Sequence, residues 1–146
     1  LHRLIRRQRQ MCIRDRVEKH LSGFRIQRAL VAAMDFVREC NSYLNRREPW
    51  KEPERRKEEI SCIMSTLLTA LKGIAILLSP FIPDFSRRLA EHLSLREGEV
   101  SWDEIGKGLD PGRKLREWEG IPFNKVSSKE LMRKLEEIRS RKPEEL

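Results

Sequence analysis

The sequence predicts an all-α fold: an antiparallel helical bundle with a long irregular loop before its last helix. Apolar residues recur at helical spacing over several stretches, prolines stand at the ends of those stretches, and glycines crowd into one aperiodic segment, 98–120.

From Val17 to about Asn45, Leu21, Phe24, Val31, Met34 and Leu44 fall on one helical face with charged residues between them, which predicts a single long amphipathic helix. Pro49 ends it, because the residue before a proline is pushed out of the helical region, and Pro53 prevents an early restart. A second helix is expected from about Glu54 to Leu78, where Ile60, Ile63, Met64, Leu67, Leu68, Leu71, Ile74, Ala75 and Leu78 follow the i, i+3, i+4, i+7 template. Gly73 lies inside it. Glycine there costs about 1 kcal/mol relative to alanine, so close approach of another helix is the expected compensation. Pro80 and Pro83 then break the chain, and Phe85, Leu89 and Leu93 at four-residue steps predict a shorter helix, roughly Asp84 to Leu93.

Residues 95 to 120 are expected to form a loop with one short turn, and Ile121 to Val126 reads as extended. Ser127 with Glu130 offers a capping box for a final helix, about Ser128 to Arg141, with Leu131, Leu135 and Ile138 on one side. The expected organisation is a bundle over 17–95, an irregular connection over 96–127, and a helix with its tail over 128–146. A four-helix antiparallel arrangement is the simplest closure.

A length of 146 residues suits one core. No uninterrupted apolar run of 18 residues occurs and no apolar stretch follows the opening arginines, so the expectation is a soluble, cytoplasmic protein with no membrane partner. Cys12, Cys40 and Cys62 are an odd number at wide spacings, which argues against both a disulfide framework and a zinc site. Cys40 and Cys62 are expected to be reduced and to behave as small hydrophobes.

The net charge of +8 points towards phosphate, yet it is unevenly spread. Residues 1–16 hold six arginines and one aspartate, a net of +5, which leaves 25 basic and 22 acidic side chains, a net of +3, for residues 17–146. The last six residues of that opening, Met11 to Arg16, resemble a translated sequencing adapter, so residues 1–16 are expected to be a non-native extension, disordered or helical. A native basic helical arm is the alternative.

His2, His20 and His92 are scattered and lack partners at metal-ligand or catalytic spacing. Neither glycine-rich phosphate-cradling motif occurs, so no catalytic residue and no metal ligand is assigned. One pattern is more informative: Asn41-x-Tyr43, five residues, then Pro49-Trp50-Lys51. Trp50 reads either as a hydrophobic plug beneath the loop or as a stacking platform for an unpaired base.

The run Cys40 to Lys51 resembles the A-N-x-Y-x5-P-W-K signature of methionyl-tRNA synthetases, in their C-terminal anticodon-binding domain. Leu77 to Pro83 is similar to that family's L-x-P-hydrophobic-x-P corner, and Ile121 to Val126 to its P-L-F-x-K-I-E segment, the two being shared more loosely among class I synthetases. The resemblance spans about residues 17–141 and implies a helical bundle of the class I anticodon-binding type. It implies that Trp50 stacks on an anticodon base and that Asn41 and Tyr43 support the helix end. Lys51, Arg55, Arg56 and Lys57 would then supply phosphate contacts, although the same four residues suit an ordinary solvated helix start.

The sequence departs from the family at Cys40, where alanine is usual, and at Asn45, where an acidic residue is common. The family's other anticodon readers, an asparagine and an arginine on an earlier helix, have no room here, nor do the HIGH-like and KMSKS-like motifs. ATP and methionine are therefore expected to bind only the catalytic domain of a parent ligase, with no cofactor in this piece and no activity by itself. The partners implied are the tRNA anticodon stem-loop and that catalytic domain, not DNA. The equivalent domain of a leucyl, isoleucyl, valyl or cysteinyl synthetase, and a helical protein-interaction scaffold, are the alternatives.

Overall fold

The computed structural model describes residues 2–50, 57–110, 112–118 and 127–140, with side chains from residue 11 to residue 139 of those. Five helices follow one another, α1 His2–Ser22, α2 Ile26–Arg47, α3 Lys57–Leu78, α4 Pro83–His92 and α5 Ser128–Ser140, with 3-10 turns at Glu97–Glu99 and Trp102–Glu104. No strand occurs among the described residues, so the all-α expectation holds.

The expected single helix over 17–45 is two helices. Its break is a Schellman turn: the Arg25 amide donates to the His20 carbonyl at 2.8 Å and the Phe24 amide to the Leu21 carbonyl at 2.9 Å. Phe24 takes the left-handed conformation (φ 55°) that such a turn demands. Phe24 and Val31, expected on the buried face, are 90% and 54% exposed. Periodicity misled here because Gly23, the natural helix terminator, stands one position before the residue that actually carries the positive φ.

α2 turns back along α1, and three alanines at i, i+3, i+4 spacing, Ala29, Ala32 and Ala33, let the backbones approach. Val17 and Phe36 fill the space between helices, packed with Ala70, Ile74 and Leu77 of α3. α3 is the core helix. Residues 72–78 of it are all buried, and α4 folds against it through Leu89. By length and composition α3 is also long and apolar enough to cross a membrane, although Lys72 interrupts its apolar run. The buried face just described is what the core helix of a bundle shows as well.

Gly73 faces Phe36 of α2 and Ile105, but not at the close approach expected: a Cβ built there would lie 3.6 Å from the Phe36 ring and 3.9 Å from Ile105, ordinary contact distances. Met64 and Leu71, assigned to the same buried stripe by periodicity, are instead exposed. Cys40 packs against the core as expected, whereas Cys62 lies exposed on the outer side of α3.

The bundle is formed by α1–α4, not by the expected combination of three helices with the carboxy-terminal one. Of α5, Leu131, Met132, Leu135 and Ile138 are all exposed, and the helix forms no packed pair with the bundle among the described residues. Its start is as expected in part: the Glu130 amide donates to Ser127 Oγ at 3.2 Å, while the Glu130 carboxylate lies 3.9 Å from Lys134 Nζ. The expected extended segment 121–126 lies outside the described residues.

The connection after α4 is irregular, as expected, but firmly tied. Arg113 donates to both carboxylate oxygens of Glu99 at 2.7 and 2.6 Å, to Asp110 at 3.0 Å and to the Ser94 carbonyl at 3.0 Å. This bidentate arrangement holds the Glu99 carboxyl at about 2, chiefly through the guanidinium hydrogen bonds. Trp118 then lies edge-on to His92 at 5.3 Å and near Phe85 at 6.2 Å, with the Arg88 guanidinium 5.5 Å from its ring centre. The chain between Arg113 and Trp118 is thereby strapped across the end of α4, where the Arg116 amide donates to the His92 carbonyl at 2.8 Å.

Candidate nucleic-acid interface

The last turns of α2 set out the residues singled out by the sequence. Nothing glycine-like is available to end this helix. Glu48 itself takes the left-handed conformation (φ 38°, ψ 57°), and its amide donates to the Leu44 carbonyl at 2.9 Å. That reversal turns Pro49 and Trp50 out of the helix axis. Proline fixes its own φ, so the turn is stiff.

Trp50 is 60% exposed. The plug reading is thereby overturned: an indole tucked under a loop would have lost most of its surface, whereas this one keeps more than half of it open to solvent. The proline stiffens the backbone that carries this aromatic, and the exposed indole is available to an unpaired base.

Tyr43 is half-buried, and the Arg47 guanidinium sits 5.7 Å from its ring centre. The pair spans one helical turn and braces the end of α2. Arg47 was not singled out from the sequence, although its i, i+4 spacing from Tyr43 was the available signal. Asn41 is exposed two residues before Tyr43, next to the half-buried Cys40, whose thiol burial pushes up to about 11, with Glu39 adding to the effect. Asn41, Tyr43 and Trp50 therefore share the last two turns of α2 and the turn that follows. Lys51, Arg55 and Arg56 lie outside the described residues, and Lys57 is exposed at the start of α3.

The positive character of this end is supplied by Arg46 and Arg47, in a last helical turn where cations also complement the helix dipole. Among the described residues no group of histidines, cysteines and carboxylates could hold a metal ion. The arrangement offers a ring face and flanking cations. It offers no nucleophile set beside a base.

Comparison with known proteins decides the family. Residues 13–142 match the model of the anticodon-binding domain of tRNA ligase. The chain belongs to that anticodon-binding family. Similar proteins include the methionine–tRNA ligase of Pyrobaculum islandicum, 33% identical over 129 residues covering 87% of this chain and 22% of the relative. The methionine–tRNA ligase of Aeropyrum pernix is 38% identical over 102 residues, 68% of this chain and 18% of the relative. That of Chloroherpeton thalassium is 30% identical over 128 residues, 83% of this chain and 18% of the relative. The anticodon-binding chain described here thus spans about a fifth of the length of the curated relatives it matches.

Proposed function

We propose that this chain is the anticodon-reading module of a methionine–tRNA ligase, docking on the anticodon stem-loop while a catalytic domain elsewhere in the parent charges the 3′ end. The observation that carries the reading is the exposure of Trp50, which directly follows the left-handed Glu48 and Pro49 at the end of α2. Base–aromatic stacking contributes about 1–3 kcal/mol per base, enough for one indole to dominate loop recognition. Tyr43 and Arg47 brace the helix end, Asn41 presents an amide within the last two turns of the same helix, and Lys51, Arg55 and Arg56 would add phosphate contacts.

In this reading ATP and methionine bind the parent's catalytic domain, and the anticodon module by itself is inactive. The protein would work in the cytoplasm, where tRNA is charged. The apolar side of α5 would pack back on the catalytic domain and help couple the two. That the relatives are named as methionine enzymes favours methionine over leucine, isoleucine, valine or cysteine.

The test compares RNA hairpins with a CAU loop and with an unrelated loop. Trp50→Ala should weaken binding to the CAU hairpin by roughly 10- to 100-fold, the equivalent of the stacking energy above, and affect the other much less. Equal losses on the two loops would remove the specific role.

A further inference from the structure

The corner between α1 and α2, at the opposite end of α2 from Trp50, carries a concentration of unneutralised positive charge. Lys19 and Arg25 flank the Schellman turn and Arg28 lies in the first turn of α2, with Arg16 one turn back on α1. Among the described residues none of these four makes an ion pair, whereas Arg38, Arg87, Lys107, Arg113 and Lys134 all do. The four surround His20. Burial lowers the proton affinity of that imidazole first, and Arg25, Arg28, Lys19 and Arg16 each lower it further. The first turn of α2 has no acidic residue and its start has no side-chain cap; Glu18 neighbours Lys19 on α1 and Arg16 lines a hollow with Asp35 and Glu39, so the excess charge of the corner rests on Lys19, Arg25 and Arg28.

Phe24 stands among them. It is 90% exposed, and two backbone hydrogen bonds hold it in a left-handed conformation that a bulky residue rarely adopts. The Arg25 guanidinium folds back over Gly23, within 3.2 Å of where a Cβ would stand there, which keeps its charge at the turn itself. Cations without ion pairs, next to one exposed apolar side chain that can lie against ribose, suit a regular sugar–phosphate polyanion better than an acidic protein face.

We infer that this corner is a second RNA-contact surface, taking the sugar–phosphate backbone of the stem that leads away from the loop at Trp50. The inference rests on the anticodon-reading proposal above. α2 joins the two surfaces rigidly: its 22 residues make a rod of about 33 Å, along which a stacked RNA stem can lie. Trp50 then reads the loop, while the corner adds affinity without sequence preference, as phosphate contacts do.

The test uses the 146-residue chain and two hairpins with the same CAU loop, one with a short stem and one whose stem runs the length of α2. The combined variant Lys19→Gln, Arg25→Gln, Arg28→Gln should bind the long-stem hairpin about tenfold less tightly. Its dependence of log affinity on log salt should flatten by about 2 to 3, one for each phosphate contact removed. Binding to the short-stem hairpin should barely change. The charge-preserving variant Arg25→Lys, Arg28→Lys should keep the wild-type slope, which separates charge from folding. Unchanged affinity and slope on the long stem would overturn the inference and leave the corner to an acidic protein partner. Loss of loop preference is read separately with Trp50→Ala, so the failure of the anticodon reading and the failure of the corner are distinguishable.

Discussion

Lys72 Nζ donates to Glu104 Oε2 at 2.9 Å, although Lys72 is only 1% exposed and sits in the middle of the core helix. The carboxylate is shared, since Lys107 Nζ lies 2.7 Å from its other oxygen, and these two hydrogen bonds, Lys107 first, keep the Glu104 carboxyl below its ordinary range. A buried ammonium needs a partner far more than the partner needs it. Glu104→Gln should therefore lower the melting midpoint by several degrees. Lys72→Met, which fills the same slot with an apolar chain, should come within about 1 kcal/mol of the parent. A Lys72→Met loss larger than that of Glu104→Gln would contradict this account.

Acid should loosen the connection between α4 and α5 through Glu99. Its carboxyl is depressed from an ordinary 4.5 to about 2 in the folded protein, chiefly by Arg113. A depressed carboxylate contributes stability that is complete above the unfolded value and is lost as pH falls through the folded one. Melting midpoints should consequently drop between about pH 4.5 and pH 2, and Glu99→Gln should flatten that part of the profile. An unaltered acid limb in Glu99→Gln would show that other carboxylates govern it.

Gly73 has room for a methyl group, because the nearest atoms to a Cβ there are at ordinary contact distance, 3.6 Å from Phe36. Gly73→Ala should stabilise the chain by up to about 1 kcal/mol through helix propensity. Phe36→Ala, which empties the same junction, should cost about 3–5 kcal/mol. Chemical denaturation reads both, and destabilisation by Gly73→Ala would mean that α2 cannot yield even slightly.

Phe24 illustrates a different conflict. Its ring is almost wholly exposed and contributes little burial, while its φ of 55° is strained for any residue but glycine. Phe24→Gly should raise stability by about 1 kcal/mol and, if the corner contacts RNA, weaken long-stem hairpin binding at the same time. Stability that falls in this variant would show that the ring packs against something in solution.

The cysteines should separate by reactivity. Cys40 is held as a thiol by burial, its value pushed up to about 11, whereas Cys62 is exposed. A thiol reagent at neutral pH should modify Cys62 promptly and Cys40 only on unfolding; equal rates would place Cys40 at the surface.

Much of the fold was legible because proline punctuation bounds α3 and α4 and periodicity places most of their buried residues, Met64 and Leu71 excepted. Both ends of α4 fall within one residue of expectation, and Trp50 was identified by its setting behind Pro49. What escaped was set by backbone geometry and distant pairing. Phe24, Glu48 and Ser94 all adopt positive φ without being glycine, so the turns they make carry no compositional mark. Lys72 with Glu104, 32 residues apart, and Glu99 with Arg113, 14 apart, look like ordinary surface charges until the chain is folded. The basic corner was hidden for the same reason: its cations sit on two helices that periodicity had merged into one.

The thirteen residues of α5 bury none of their apolar side chains. Isolated helices of about 12–15 residues are marginal in water, so this one draws little order from its own hydrogen bonds. Its content should rise when trifluoroethanol or a docking surface shelters Leu131, Leu135 and Ile138, with the cost of winding the helix charged against the affinity of that encounter. A contact assembled in this way is held weakly and released readily, because the order it needs is supplied only while the partner surface is present.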